Sequence, residues 1–355
     1  MNLNVYSNRR ESLRREMHRK GFDALVVSLD ANRYYLSGFE LHDPQMNESS
    51  GRLVIRANGE DWLCTDARFM DAAKRLWNEE HILIYRSAAN DINALLRSFA
   101  PGKVGFEAEV LTVGFFRSLS EGLTCQPADG LVEALRVIKD KEEIARMQRS
   151  CALNHALMQW VPSVLVPGRT EAQVDWDITQ FFRNNGAQEN AFAGIVAVDD
   201  NAALPHAVPR DRQITDNCAV LVDVGCRMDD YCSDQTRTFW VGEKPAPWFL
   251  QYRELVQEAQ QRAIATIRPG VTAASVYGAA RSYLDNSGLG HLFTHGLGHG
   301  VGLQTHEAPS LNPRSETVLH PGMVITVEPG LYLGGQGGLR WEYMVLVTDD
   351  GHRVL

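Results

Sequence analysis

The chain has 355 residues, of which 44% are hydrophobic and 22% charged, and a net charge of −9 at pH 7. That length exceeds what one core usually fills and predicts two domains with the composition of an ordinary globular protein. The acidic balance argues against a general attraction to nucleic acid or an anionic membrane, and no stretch approaches the roughly 20 apolar residues of a spanning helix. The N-terminal MNLNVYSNRRESLRREMHRK lacks an apolar core, so no secretory leader is expected. Six cysteines (64, 125, 151, 218, 226 and 232) are scattered without a CxxC pair and read as reduced thiols of a cytoplasmic protein. Cys226 and Cys232 are expected to pack, with oxidation sensitivity or adventitious metal binding as the alternatives.

In chain order, the pattern predicts a charged helix over about 8–20 and then a strand in DALVVSL. RLVIRA, HILIYR and KVGFEA follow as strands, interleaved with helices in FMDAAKRLW and INALLRSFA. Strands alternating with helices at this pitch predict an α/β domain. The pattern changes near residue 135, dividing the chain into domains 1–135 and 136–355 through the junction LVEALRVIKDKEEIARMQRSC. Amphipathic helices are then predicted over about 141–166 and 171–186, followed by strands carrying two aspartates. Two further helices, over about 248–267 and 272–287, precede strands carrying a histidine and two glutamates. The fold class is therefore α/β (α+β), with a helix-helix-strand order that occurs twice.

Five residues of the second domain carry the chemistry. Asp223 lies in the apolar run AVLVDVG, and Asp234 in the extended run CSDQTRTFWV. If the two aspartates face each other in an antiparallel hairpin, its turn is centred between Met228 and Asp229, where the polar stretch RMDD falls. Glu328 in VITVEPGLYL and Glu342 in GGLRWEYMVLV repeat this arrangement around Gly335, inside the turn signal GGQGG. Opposed residues in such hairpins have Cβ atoms about 4.5–5.5 Å apart, close enough for two pairs to clamp two cations about 3.5–4 Å apart. Asp223 alone is equally consistent with an aspartate satisfied by backbone donors, and Glu328-Pro329-Gly330 with a strand ending in a turn. Two hairpins with carboxylates inside apolar strands are harder to explain without counter-charge, because burying unpaired carboxylates is costly. The fifth residue is His299, in THGLGHGVGLQTHEAP. Its glycine-rich surroundings do not fit a phosphate loop, since no Lys-Ser/Thr follows and the intervals are wrong for a dinucleotide fingerprint. His295 and His299 have the i, i+4 spacing of a helical zinc motif, but the intervening glycines oppose a helix. Four carboxylates and one imidazole suit Mn²⁺, Co²⁺ or Fe²⁺ better than a thiolate-built structural zinc.

The order and surroundings of these five residues resemble the metallopeptidases of the creatinase/prolidase/methionine aminopeptidase group, which have the pita-bread fold. FDALVVSLDANRYYLSGF and TDAR resemble the creatinase-like N-terminal domain, so the resemblance spans essentially the whole chain. It implies two divalent ions per subunit, Mn or Co before Fe or Zn, held by Asp223, Asp234, His299, Glu328 and Glu342. Asp234 and Glu342 would bridge the ions, and a water held between them would supply hydroxide near neutrality. Glu328 would be the general base. His206, in NAALPHAVP, and His306, in THEAP, would contact substrate and stabilise the oxyanion. His295 would line the catalytic pocket or support it from behind, and Arg340 would orient a metal carboxylate. The family usually has an acidic residue after the last glutamate, where this chain has Tyr343, and Trp341 is bulkier than usual. Strand alternation points Tyr343 away from the Glu342 face, leaving the ligand intact.

The implied activity is removal of an N-terminal residue from a short peptide, most often before proline, by an Xaa-Pro aminopeptidase or dipeptidase acting as a homodimer. A non-peptide C–N hydrolase or lyase on the same scaffold is the alternative. A non-catalytic binding protein is disfavoured because all five ligands are intact.

Overall fold

The computed structural model describes residues 3–45 and 48–355. The chain forms two compact units, Met1–Arg136 and Val137–Leu355.

The first unit is a mixed six-stranded sheet. Its strands are β1 (Ala24–Val27), β2 (Arg52–Arg56), β3 (Trp62–Thr65), β4 (Ile82–Ile84), β5 (Val104–Phe106) and β6 (Cys125–Pro127), in the order β4-β3-β2-β1-β5-β6. Strand β1, all Ala, Leu and Val, is buried along its whole length, as expected of a central strand covered on both faces. It pairs antiparallel with β2 and parallel with β5. The helices are α1 (Leu3–Lys20), α2 (Asp30–Ser37), α3 (Met70–Lys74), α4 (Ala88–Ser98), α5 (Val113–Leu119) and α6 (Glu133–Arg136). Ile92 and Leu96, one turn apart on α4, close the core with Val26, Val54 and Val104. The pattern did not reveal β3 or β6, whose short runs lack clear alternation. Helix α3 ends at Lys74, short of the predicted Trp77.

The second unit repeats one construction. Helices α7 (Lys141–Trp160) and α8 (Glu171–Asn184) precede β7 (Glu189–Asn190), β8 (Ile195–Val198), β9 (Cys218–Val224), β10 (Cys226–Met228), β11 (Tyr231–Cys232) and β12 (Gln235–Val241). Helices α9 (Pro247–Thr266) and α10 (Ala273–Asn286) precede β13 (Gly298–Gly300), β14 (Glu307–Leu311), β15 (Val324–Val327), β16 (Gly330–Leu333), β17 (Gly337–Arg340), β18 (Tyr343–Val347) and β19 (His352–Val354). Each helix pair packs a separate apolar core against its strands, with Val174, Ile178 and Phe182 of α8 in one and Val256, Ala263 and Val276 in the other. Reciprocal capping boxes start α7 (Asp140 with Glu143) and α8 (Thr170 with Gln173). Helix α7 stops at Trp160, before the predicted 166, because Pro162 carries the chain into a 3₁₀ turn. Among the described residues, no helix is long and apolar enough to cross a membrane.

The candidate metal centre

Strands β9 and β12 form a continuous antiparallel ladder in which Asp223 faces Thr236, not Asp234. The expected direct opposition of the two aspartates is therefore corrected. The turn is Asp229–Asp230, one position later than expected, and closes the β10–β11 pair between Met228 and Tyr231. Both turn residues have positive φ (51° and 73°), as a two-residue turn matching the twist of its strands requires. Because side chains alternate with a period of two, the displaced register leaves Asp223 and Asp234 on one face as diagonal neighbours.

The second hairpin turns about Gly335, whose φ is 77°. Val327 faces Tyr343 on one side of a gap in the ladder, and Gly330 faces Arg340 on the other. The register is the same on both sides, which puts Glu328 across from Glu342 inside the gap.

His299 sits on the short β13, between β14 and β15. The glycines beside it serve close approach. A Cβ at Gly298 would lie 2.1 Å from Thr326 O, and one at Gly300 would lie 2.0 Å from Ala308 O. His299 Nδ1 donates to Gly300 O at 3.0 Å, so Nε2 carries the free lone pair. That nitrogen lies 3.4 Å from Glu328 Oε1 and 3.6 Å from Asp234 Oδ2. One donor atom from each of Asp234, His299 and Glu342 lies within 4.8 Å of the others.

These acceptors face one another without enough donors. Asp223 Oδ1 is buried and has no hydrogen-bond partner. Burial, and then the repulsion of neighbouring carboxylates, pushes Asp234 and Glu342 well above the usual carboxyl range. Glu328 is pushed up to about 7, chiefly by burial. Burial lowers His299 to about 4, which keeps its imidazole neutral and ready to ligate. An orphaned carboxylate oxygen, three destabilised carboxyls and a presented imidazole lone pair fit hard or borderline divalent cations.

Around the donors lies a supporting layer. Arg340 pairs with Asp223 through Nη2 and donates to the Tyr332 hydroxyl through Nη1 at 2.7 Å. Its Nε donates to Thr236 Oγ1 (3.1 Å), and that hydroxyl donates to Glu342 Oε2 (2.8 Å). Thr326 Oγ1 accepts from the His299 amide and donates to Glu328 Oε1. Tyr332, Thr236 and Thr326 went unnoticed in the sequence, although alternation from Asp234 places Thr236 on the metal face.

A cavity of about 570 Å³ opens onto the donors, with His206, His295 and His306 on its walls. His306 stacks edge-on to His299, ring centroids 4.3 Å apart. His206 and His306 are exposed to the cavity. His295 is placed differently, because both its nitrogens are occupied. Nδ1 donates to Gly296 O at 2.6 Å, and Nε2 accepts from the Tyr332 hydroxyl at 2.9 Å. Phe192, Ile195, Val208 and Pro209 give the cavity an apolar side.

Cys226 and Cys232 are buried beside the first hairpin. Burial pushes the Cys226 thiol up to about 11 and raises Cys232 as well, so both stay protonated.

Residues 145–349 match the model of metallopeptidase family M24, and residues 9–138 match the creatinase/prolidase N-terminal domain. An uncharacterized peptidase of Bacillus subtilis (strain 168), YqhT, is 32% identical over 349 residues, covering 97% of this chain and 96% of that protein. Among solved structures, an Xaa-Pro dipeptidase from Bacillus anthracis superposes with a TM-score of 0.91 at 32% identity, over 98% of this chain and 97% of that one. A prolidase from Pyrococcus horikoshii OT3 gives 0.89 at 29% identity, over 98% and 97%. An X-Pro aminopeptidase from Thermotoga maritima MSB8 gives 0.83 at 28%, over 96% and 97%. With a creatinase-type first domain and a pita-bread second domain around this acidic cluster, the chain belongs to metallopeptidase family M24.

Proposed function

We propose that the chain is a two-metal exopeptidase that removes an N-terminal residue ahead of proline, as an Xaa-Pro aminopeptidase or dipeptidase. The observation that carries this reading is the convergence of four acidic side chains and the His299 lone pair at the floor of one cavity. The similar structures are named for Xaa-Pro dipeptidase, prolidase and X-Pro aminopeptidase activities, which supports the specificity.

Asp223, Asp234, His299, Glu328 and Glu342 would hold the ions, Mn²⁺ or Co²⁺ before Fe²⁺ or Zn²⁺. When bound, the ions supply a Lewis acid for the scissile carbonyl and lower the pKa of water. Glu328, steadied at Oε1 by Thr326, accepts the proton of the attacking water and passes it to the leaving amine. His206 and His306, on the cavity wall, donate to the oxygen that gains charge in the tetrahedral state. His295 holds Tyr332, and through it Arg340, and has no free nitrogen to carry a proton. The apolar side at Phe192, Ile195 and Val208 suits the pyrrolidine ring. A homodimer goes with this reading by family resemblance, and sedimentation tests it.

The deciding experiment is hydrolysis of Ala-Pro, an Xaa-Pro tripeptide, Met-Ala-Ala and a non-peptide amide, with Mn²⁺ or Co²⁺ and with chelator. Chelator-sensitive release of the residue before proline is expected, and the dipeptide-to-tripeptide ratio names the branch. Turnover of the non-peptide amide alone would overturn the peptidase reading.

A further inference from the structure

In the gap of the second ladder Trp341 N donates to Pro329 O (3.3 Å). The amides of Glu328 and Glu342 donate to Leu297 O and Thr236 O, so no backbone bond joins the two glutamates directly. Two buried side chains from elsewhere bind the carbonyls around this pair. Gln260, on α9 and 2% exposed, donates through one amide nitrogen to Val327 O (2.7 Å) and to Trp341 O (3.0 Å). These are the carbonyls of the peptide bonds that lead into Glu328 and Glu342. Arg237, on β12, donates through Nη1 to Glu342 O and to Thr236 O. The backbone on both sides of Glu342 is thus tied down, and so is the backbone entering Glu328.

Arg237 has an unusual setting for a buried cation. Among the described residues it makes no ion pair, and its guanidinium instead lies 4.4 Å from the Trp341 ring centroid and 4.2 Å from that of Tyr343. The two aromatic residues flank Glu342 in sequence and project to the face opposite its carboxylate. A planar guanidinium between aromatic faces is attracted to their ring quadrupoles and keeps its donors in a fixed fork. The aromatic residues at 341 and 343 therefore hold this guanidinium in a stack.

We propose that Gln260 and Arg237 are positioning residues that set the separation of Glu328 and Glu342 by clamping their backbone from the side away from the substrate cavity. This rests on the metal-site reading above. Neither side chain touches the donor atoms, so their effect passes through the peptide backbone. Carboxylates held at a fixed separation need little rearrangement to share cations, whereas released ones relax apart under their mutual repulsion.

The test uses the full chain with Co²⁺ as probe, reading affinity by calorimetry and ligand geometry by visible absorption. The variants are Gln260→Met, which removes both donors at similar volume, and Arg237→Lys, which keeps the charge but not the flat stack. Asn93→Leu is the matched control, because Asn93 is a buried amide that ties the Leu119 and Glu121 carbonyls in the first unit. The expected result is a roughly 10–100-fold loss of Co²⁺ affinity with an altered absorption band in Gln260→Met, and a smaller loss in Arg237→Lys. Asn93→Leu should lower thermal stability and leave both cobalt readouts unchanged. If Gln260→Met and Arg237→Lys lose stability yet bind Co²⁺ as the wild type does, the positioning role is overturned. A wild-type chain that binds no Co²⁺ would overturn the metal reading itself, and this inference with it.

Discussion

Both acidic hairpins are interrupted where they carry acids, but the first sets Asp234 in its break diagonally to Asp223, whereas the second sets Glu328 directly across from Glu342. In the first, the buried Asn154 amide spans the break by donating to Val224 O and Ser233 Oγ, and a cation from outside the hairpin, Arg340, stands beside Asp223. In the second, the carboxylates are among the most strongly destabilised groups of the site, their amides bond to neighbouring strands, and the Gln260 amide spans the carbonyls that precede them. The contrast shows that two similar acidic motifs can differ in what they need from the rest of the fold. Both breaks are spanned by a buried amide, but the first pairs one acid with Arg340 and the second opposes its two acids directly.

The largest break in this comparison should come from the second pair. Glu342→Ala removes a donor from the most crowded point of the cluster and should lower kcat/KM at least ~1,000-fold, about 4 kcal/mol in the barrier. Kinetics together with metal analysis check this, and full metal content with normal turnover would refute it. Next comes pH. Glu328 in the ion-free protein titrates at about 7 against an ordinary 4.5. Its folded pKa is raised, so its contribution to stability is fully present below about 4.5 and is lost as pH rises through 7. The chelated protein should therefore lose on the order of 3 kcal/mol across that window, while the metal-loaded protein does not. Thermal melts from pH 4.5 to 8, with and without chelator, measure the difference, and parallel curves would remove it.

Arg340→Ala tests the first hairpin in turn. It leaves Asp223 without its cation and should weaken metal binding by about 10–100-fold, read by competition with a chromogenic chelator. Unchanged affinity would reject the orienting role. The smallest effect belongs to the turns. Gly335→Ala meets no neighbouring atom but must hold φ near 77°, which should cost about 1 kcal/mol in a urea melt and leave turnover intact.

The second hairpin was legible in the sequence almost to the residue, because GGQGG offers a single centre, and equal spacing from Gly335 sets Glu328 against Glu342. The first was displaced, since RMDD contains more than one two-residue turn and only backbone twist selects Asp229–Asp230. The displacement kept both aspartates on the metal face, which is why the donor set survives an incorrect register. The glycines around His299 were correctly denied a helix, but their purpose, tight passage between two strands, is tertiary and leaves no local pattern. The same holds for Gln260, which bonds partners 67 and 81 residues away from a helix face that reads as ordinary. Tyr332 and Thr236 could have been suspected by alternation but not assigned, because their partners come from other strands.

The sulfur chemistry beside the first hairpin has a practical consequence. Peroxides and alkylating reagents attack the thiolate, and burial keeps Cys226 and Cys232 in the thiol form at any ordinary working pH. The folded protein should tolerate iodoacetamide or mild peroxide without modification at these two positions. Thiol labelling there would instead report unfolding around the acidic cluster.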